Sequence, residues 1–160
     1  MYFWEHNARR AYEFACEVRD RPRRARQRIR RPAVVGAIID LASCLNLLDS
    51  RYIDMVRDAH ADLVVLHRGA GEPLPTNSGG EDRFLRRLDC AVIETLHAAR
   101  EEQGKPPFDT VRAAFIEGDP IYDGAGFRTK NHIQLCVRNL ACIKGYFRPL
   151  SEDGKPLVFE

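Results

Sequence analysis

The sequence contains no apolar run near the roughly 20 residues that cross a bilayer; stretches such as Ala33 to Ile39 are short and interrupted, here by Gly36. No membrane association is therefore expected. Nor does the start carry a basic stretch followed by an apolar segment. Met1-Tyr2-Phe3-Trp4-Glu5 is aromatic and acidic, so no secretory leader is read and a cytoplasmic location is expected. Cysteine is sparse and unpaired in pattern: Cys16, Cys44, Cys90, Cys136 and Cys142 are odd in number and none forms a Cys-x-x-Cys pair. That excludes a disulfide framework and a zinc knuckle, and reduced, mostly buried thiols are expected. Phosphate-loop, nucleophile-elbow and zinc-helix signatures are all missing. The histidines (His6, His60, His67, His97, His132) are dispersed, and His60 and His67 stand too far apart on one helix to share a metal, so no metal site is expected.

What is present is the composition of one soluble globular domain spanning 1–160, with 44% hydrophobic and 30% charged residues. A chain of 160 residues buries roughly 70% of its unfolded surface and needs no metal or disulfide to hold a core. The net charge of +2 conceals a local extreme, eight arginines from Arg19 to Arg31 (Arg19, Arg21, Arg23, Arg24, Arg26, Arg28, Arg30, Arg31). Such a block reads either as a solvated connecting segment or as a contact for the phosphates of a nucleotide or nucleic acid. In both readings the guanidinium groups are solvent-exposed, because too few acids are nearby to pair them in a dry interior.

Along the chain, Ala8, Ala11, Tyr12, Ala15 and Val18 recur at helical spacing, which predicts a helix over Asn7 to Asp20 with Asn7 as its N-cap and Pro22 as its stop. Ala33 to Leu41 is a β-branched, continuously apolar run and reads as a central strand covered on both faces, paired with the C-terminal strands. A second helix runs from Asp49 or Ser50 to about Leu66. Arg68 to Gly80, with four glycines and two prolines, reads as a long loop. A third helix extends from Glu81 or Asp82 to Glu102 and is stopped by Gly104 and Pro106. Val111 to Ile116, Ile133 to Val137 and Ile143 to Phe147 read as strands. Strands clustered after helices, without βαβ alternation, predict an α+β fold with a mixed, mainly antiparallel sheet.

Three stretches carry unusual residues. In Tyr2-Phe3-Trp4 side chains alternate, so Tyr2 and Trp4 share one face and Phe3 takes the other; one set enters the core, and the other lines a cleft or joins a core too. Glu117, before Gly118 and a Pro-Gly loop, reads as a displaced catalytic carboxylate or as a surface acid at a strand end. His132 and Gln134 share a strand face, so His132 is either a partner in a cleft or an ordinary surface or core histidine. Asp40, ending the apolar run, reads as a turn acid or a ligand contact.

Tyr2-Phe3-Trp4-Glu5, followed by Ala8, Arg10, Ala11 and Ala15, resembles the second motif of ADP-ribosyltransferases of the diphtheria-toxin and poly(ADP-ribose) polymerase type, an aromatic strand leading into an alanine-rich helix. Asn131 to Phe147 is similar to the last two strands of that fold. The resemblance implies an ADP-ribosyltransferase-like fold with NAD as substrate. Tyr2 would stack on nicotinamide, Trp4 and His132 would line the same site, and Arg9 or Arg10 would approach the pyrophosphate. The family's catalytic glutamate position falls on Gln134, which can hold ribose hydroxyls but brings no charge to an oxocarbenium-like centre. The family's first motif, a His-Gly strand, would lie upstream of Tyr2, so the chain is expected to begin inside the fold and to expose an unpaired sheet edge that invites association.

Two functions follow as expectations. One is an NAD-dependent transferase, toxin-like in type, acting on a protein or nucleic-acid acceptor, with Gln134 and Glu117 as the candidate catalytic residues. The other is a catalytically degenerate nucleotide- or RNA-binding module of the same fold that uses the arginine block for its partner.

Overall fold

The computed structural model of the chain describes residues 1–20, 29–151, 154, 155 and 157, and the fold they make is α+β. Its centre is a four-stranded sheet of β1 (Tyr2–Trp4), β7 (His132–Val137), β6 (Thr110–Phe115) and β3 (Cys44–Asn46), in that order. β1 pairs antiparallel with β7, β7 antiparallel with β6, and β6 parallel with β3. β2 (Gly36–Ile39) and β8 (Ile143–Phe147) form a separate antiparallel ribbon, and β4 (Asn77–Ser78) pairs with β5 (Leu85–Arg86) in a third small one.

Register decides what each face carries. Tyr2 stands opposite Cys136, Phe3 opposite Leu135 and Trp4 opposite Gln134; Val111, Ala113 and Phe115 stand opposite Cys136, Gln134 and His132. Directly opposed residues share a face. Tyr2, Trp4, His132, Gln134, Cys136, Ala113, Phe115 and Val111 therefore lie on one face, while Phe3, Leu135 and Val137 lie on the other.

The first face receives the helices. Val111 and Leu45 are buried against Ala59 and Leu63 of α2 (Ser50–Ala70) and Val92 and Leu96 of α3 (Arg87–Glu102), with Phe108 closing the cluster. The second face receives the ribbon: Phe3, Leu135 and Val137 pack with Ile39, Cys142 and Ile143. α1 (Ala8–Asp20) rests on β1 over the helical face but supplies no residue to either apolar cluster, and its one buried residue is Arg10. The molecule is three layers thick over β7, with helices outside, the sheet between and the ribbon beneath.

Local chemistry accounts for the helix ends. The Asn7 side chain accepts the amide hydrogen of Arg10 at 2.9 Å, capping α1. Asp49 does the same for α2, accepting from the Arg51 amide. α2 runs past the expected Leu66 to Ala70, where Gly71 at φ 69° takes the left-handed conformation and the Glu72 amide reaches back to His67.

Three expectations are corrected. The Ala33 to Leu41 run is not a central strand covered on both faces: only Gly36–Ile39 is extended, in the ribbon, and Val35 and Ile38 are more than half exposed. A two-stranded ribbon has one face against the core, so continuous apolarity overstated its burial. The third helix begins at Arg87 rather than Glu81 or Asp82, because Leu85–Arg86 pairs with Asn77–Ser78. The cysteines are free but not mostly buried: Cys142 alone is, Cys90 is exposed and the other three are half-buried.

Of the arginine block, Arg19, Arg30 and Arg31 are exposed, as expected; Arg21, Arg23, Arg24, Arg26 and Arg28, like Pro22, lie outside the described residues. No described helix is long and apolar enough to cross a membrane.

Candidate functional site

The antiparallel pairing of β1 with β7 brings together residues from the two ends of the chain. Trp4 is directly opposite Gln134, and His132 lies diagonally from Trp4 with ring centroids 6.3 Å apart. Phe115, on β6, stacks on His132 at 5.5 Å with the planes 12° apart. The Arg86 guanidinium lies over the Phe115 ring at 4.7 Å, and Trp4 meets Phe14 of α1 at 4.9 Å. A row of flat groups thus crosses the sheet face from α1 to the start of α3: Phe14, Trp4, His132, Phe115, Arg86.

At the end of β6 the chain runs on to Glu117, whose side chain is only 14% exposed. One carboxylate oxygen lies 3.9 Å from Arg10 and the other 3.6 Å from Arg86. Arg10 is itself buried and also donates to Glu17 at 3.2 Å, while Glu17 takes a second cation, Lys130, at 3.0 Å. Arg86 further approaches Asp89 at 3.5 Å and donates to the Asp82 carbonyl. The Asp82 carboxylate accepts the Gly118 amide at 3.0 Å. Gly118 has φ +80°, and a β-carbon there would strike Thr129, so the turn that presents Glu117 requires glycine. Glu117 thereby ties α1, β6 and the entry to α3 together.

The sequence candidates separate in space. Tyr2, Trp4, His132 and Gln134 share one face. Arg10 and Glu117 meet at its edge. Arg9 points away: it is 84% exposed in its side chain and paired with Glu13 one turn along the helix. Gln134 is half-buried, beside the small Ala113, and its amide has no hydrogen-bond partner among the described residues. Tyr2 is 61% exposed; the Cys136 thiol beside it, then partial burial, hold its hydroxyl pKa above the ordinary value. Asp40 accepts the Ala42 amide and lies near Lys144, a turn contact on the ribbon side. Arg86, Phe115 and Asp82 were missed by sequence reasoning. Arg86 sits in a segment with helical periodicity, and nothing local marks it.

Buried polar atoms concentrate here. Among the described residues five buried side-chain atoms lack a hydrogen-bond partner, and three of them are Trp4 Nε1, Arg10 Nε and His132 Nε2. Each such atom costs about 1–3 kcal/mol if left without a partner. The other two belong to His97, inside the helical layer. His132 Nδ1 lies 2.7 Å from the Lys130 carbonyl, which can only accept, so Nδ1 carries the hydrogen of that contact. The described residues hold no cluster of three or more metal-ligating side chains. No protein-family model, no curated protein and no solved structure matches the chain.

Proposed function

We propose that the chain is an ADP-ribosyltransferase-like protein that binds NAD on the sheet face between α1 and α3 and acts on a protein or nucleic-acid acceptor. One observation carries the reading. The two segments that resemble the family's motifs, Tyr2–Trp4 and His132–Val137, are adjacent antiparallel strands with Trp4 opposite Gln134. That adjacency is what the resemblance requires of the two segments, and it supports the reading.

In this reading the exposed Tyr2 ring stacks on nicotinamide, and Gln134 holds the ribose. Arg10 and Arg86 bring positive charge to the pyrophosphate side. The chemical step breaks the bond between the nicotinamide nitrogen and ribose C1 and forms one from C1 to the acceptor's nucleophile, whose proton passes to solvent; nicotinamide leaves neutral, and positive charge develops on the sugar ring in between. Gln134 supplies a dipole there, not a charge, so turnover is slow. Glu117 lies at the edge of the face, and its two guanidinium neighbours compensate much of its field.

That compensation favours a second reading, a nucleotide-binding module that does not turn over NAD, with the arginine-rich segment 19–31 contacting nucleic acid. Calorimetric titration with NAD, followed by measurement of released nicotinamide, tests both. Binding with slow release supports the transferase, and binding without release supports the module. A flat titration removes both.

A further inference from the structure

We infer that β1 is a pairing edge: it joins antiparallel to the β1 of a second copy of this chain about a two-fold axis at Phe3, with Tyr2 of each copy opposite Trp4 of the other. The inference is independent of NAD.

The backbone sets the pattern. β1 ends the sheet on its side, and no described strand lies beyond it. Met1 and Val137 exchange backbone hydrogen bonds of 2.8 and 3.0 Å, and the Glu5 amide donates to the Ile133 carbonyl at 2.9 Å. Such bonds alternate along an antiparallel strand, so the amides and carbonyls of Met1, Phe3 and Glu5 point to β7 and those of Tyr2 and Trp4 point outward. Native edges are commonly guarded by a charge, a proline or a bulge. β1 has none of these: Tyr2, Phe3 and Trp4 are uncharged, and their register on β7 is unbroken.

α1 leaves this edge open. Its anchors lie inward, where Arg10 reaches Glu117 past the end of β6 and Glu17 takes Lys130 just before β7. The helix therefore leans across the sheet and not out beyond β1. Around the edge stand exposed apolar groups. Met1 is 55% and Tyr2 61% exposed, and Tyr146 of β8, 57% exposed, brings its hydroxyl to 3.8 Å from Met1 Sδ.

Symmetry selects a second copy as the occupant. With Tyr2 against Trp4, every outward amide of one copy meets an outward carbonyl of the other, and none is left over. A register slipped to the next outward residue engages only one residue of each copy. Directly opposed side chains share a face, so each Tyr2 ring gains a Trp4 ring as its cross-strand neighbour on the helical side. Both edges are consumed in the pairing, so association closes at the dimer.

Sedimentation equilibrium of the whole chain over a wide concentration range tests this, with a monomer–dimer equilibrium as the expected result. Tyr2→Lys removes the ring and places a charge on the edge. Its dimer dissociation constant should rise about tenfold or more, because the two-fold axis counts each substitution twice. Amide hydrogen exchange, read by NMR, should be slow at Tyr2 and Trp4 where the dimer dominates and fast on dilution, while the Phe3 amide stays protected in both. Melting of Tyr2→Lys is measured first; if the variant does not fold, exchange in the unaltered chain decides.

A monomer at every concentration overturns the inference, as does growth past the dimer, a dimer indifferent to Tyr2→Lys, or fast exchange at Tyr2 and Trp4 within the dimer. Dimerisation of a chain that does not bind NAD removes the proposed function and leaves this inference standing. NAD binding by a chain that stays monomeric does the reverse.

Discussion

Asn77 caps a helix to which it does not belong: its side-chain oxygen accepts the amide hydrogens of Leu88 at 3.0 Å and Asp89 at 3.3 Å, the first turn of α3. Its amide nitrogen donates to the Asp89 carboxylate at 2.7 Å, so one side chain satisfies the helix start and orients its first acid. No local residue does this, for Arg86 at the N-cap position makes no side-chain cap. Asn77→Ala should therefore cost about 1–2 kcal/mol, the usual loss for a cap. Urea denaturation measures it; a change within a few tenths would mean that the helix start is solvated equally well.

His97 is buried within α3 beside Phe108, and burial, reinforced by Arg138, lowers its pKa from 6.5 to about 4. The folded state thus keeps the ring neutral where the unfolded chain would protonate it. The unfolded state binds more protons between those values, so the contribution is complete above about pH 6.5 and is lost as pH falls towards 4. Its full size is about 3 kcal/mol, taking roughly 1.4 kcal/mol per unit. His97→Leu should flatten stability over that window while costing little at pH 7. Parallel acid sensitivity of wild type and variant, read from melts at several pH values, would rule this out.

Much of this was legible in the sequence because it is local. The 3-4 spacing and the Asn7 cap mark α1, and period-two alternation marks β6 and β7. The alternation of Tyr2-Phe3-Trp4 alone separates Phe3, in the lower core, from the two residues on the helical face. The rest depends on partners distant in the chain. Cys44–Asn46 is too short to signal a strand and is one only because it lies parallel to Thr110–Arg112. The apolar run at Gly36–Ile39 resembles a buried strand yet pairs only with β8. Within the site, the faces of Gln134 and His132 follow from strand period. The burial of Arg10 does not, because its reason is Glu117 on another element.

The Arg10–Glu117 pair should show energetic coupling. Arg10 is nearly dry, and Glu117 is the neighbour that links its charge to the sheet. Glu117→Gln leaves that guanidinium with the half-exposed Glu17, whereas Arg10→Met removes the charge that needs compensation. The double variant should be less destabilised than the sum of the singles, with a coupling of about 1–3 kcal/mol. Additivity within about 0.5 kcal/mol in a double-mutant cycle would assign the burial of Arg10 to packing of its stem instead.

Gln134→Glu tests whether the face opposite Trp4 is a site or only a surface. The substitution is nearly isosteric and places a carboxylate beside Ala113, where the amide has no partner among the described residues. Stability should fall slightly, because a half-buried charge gains no direct cation: Arg10 and Arg86 are held at Glu117. Activity should move the other way. An ionised oxygen facing the developing positive charge of the ribose restores an electrostatic contribution that a neutral amide supplies only in part, so nicotinamide release from NAD should rise about tenfold or more. Gln134→Ala should weaken NAD binding by removing a group that both donates and accepts, and should not speed release. The opposing signs are informative together, since a purely structural residue would lose stability and rate in parallel. Rapid NAD turnover that survives Gln134→Ala, or intact NAD binding with no gain in Gln134→Glu, would remove Gln134 from the site.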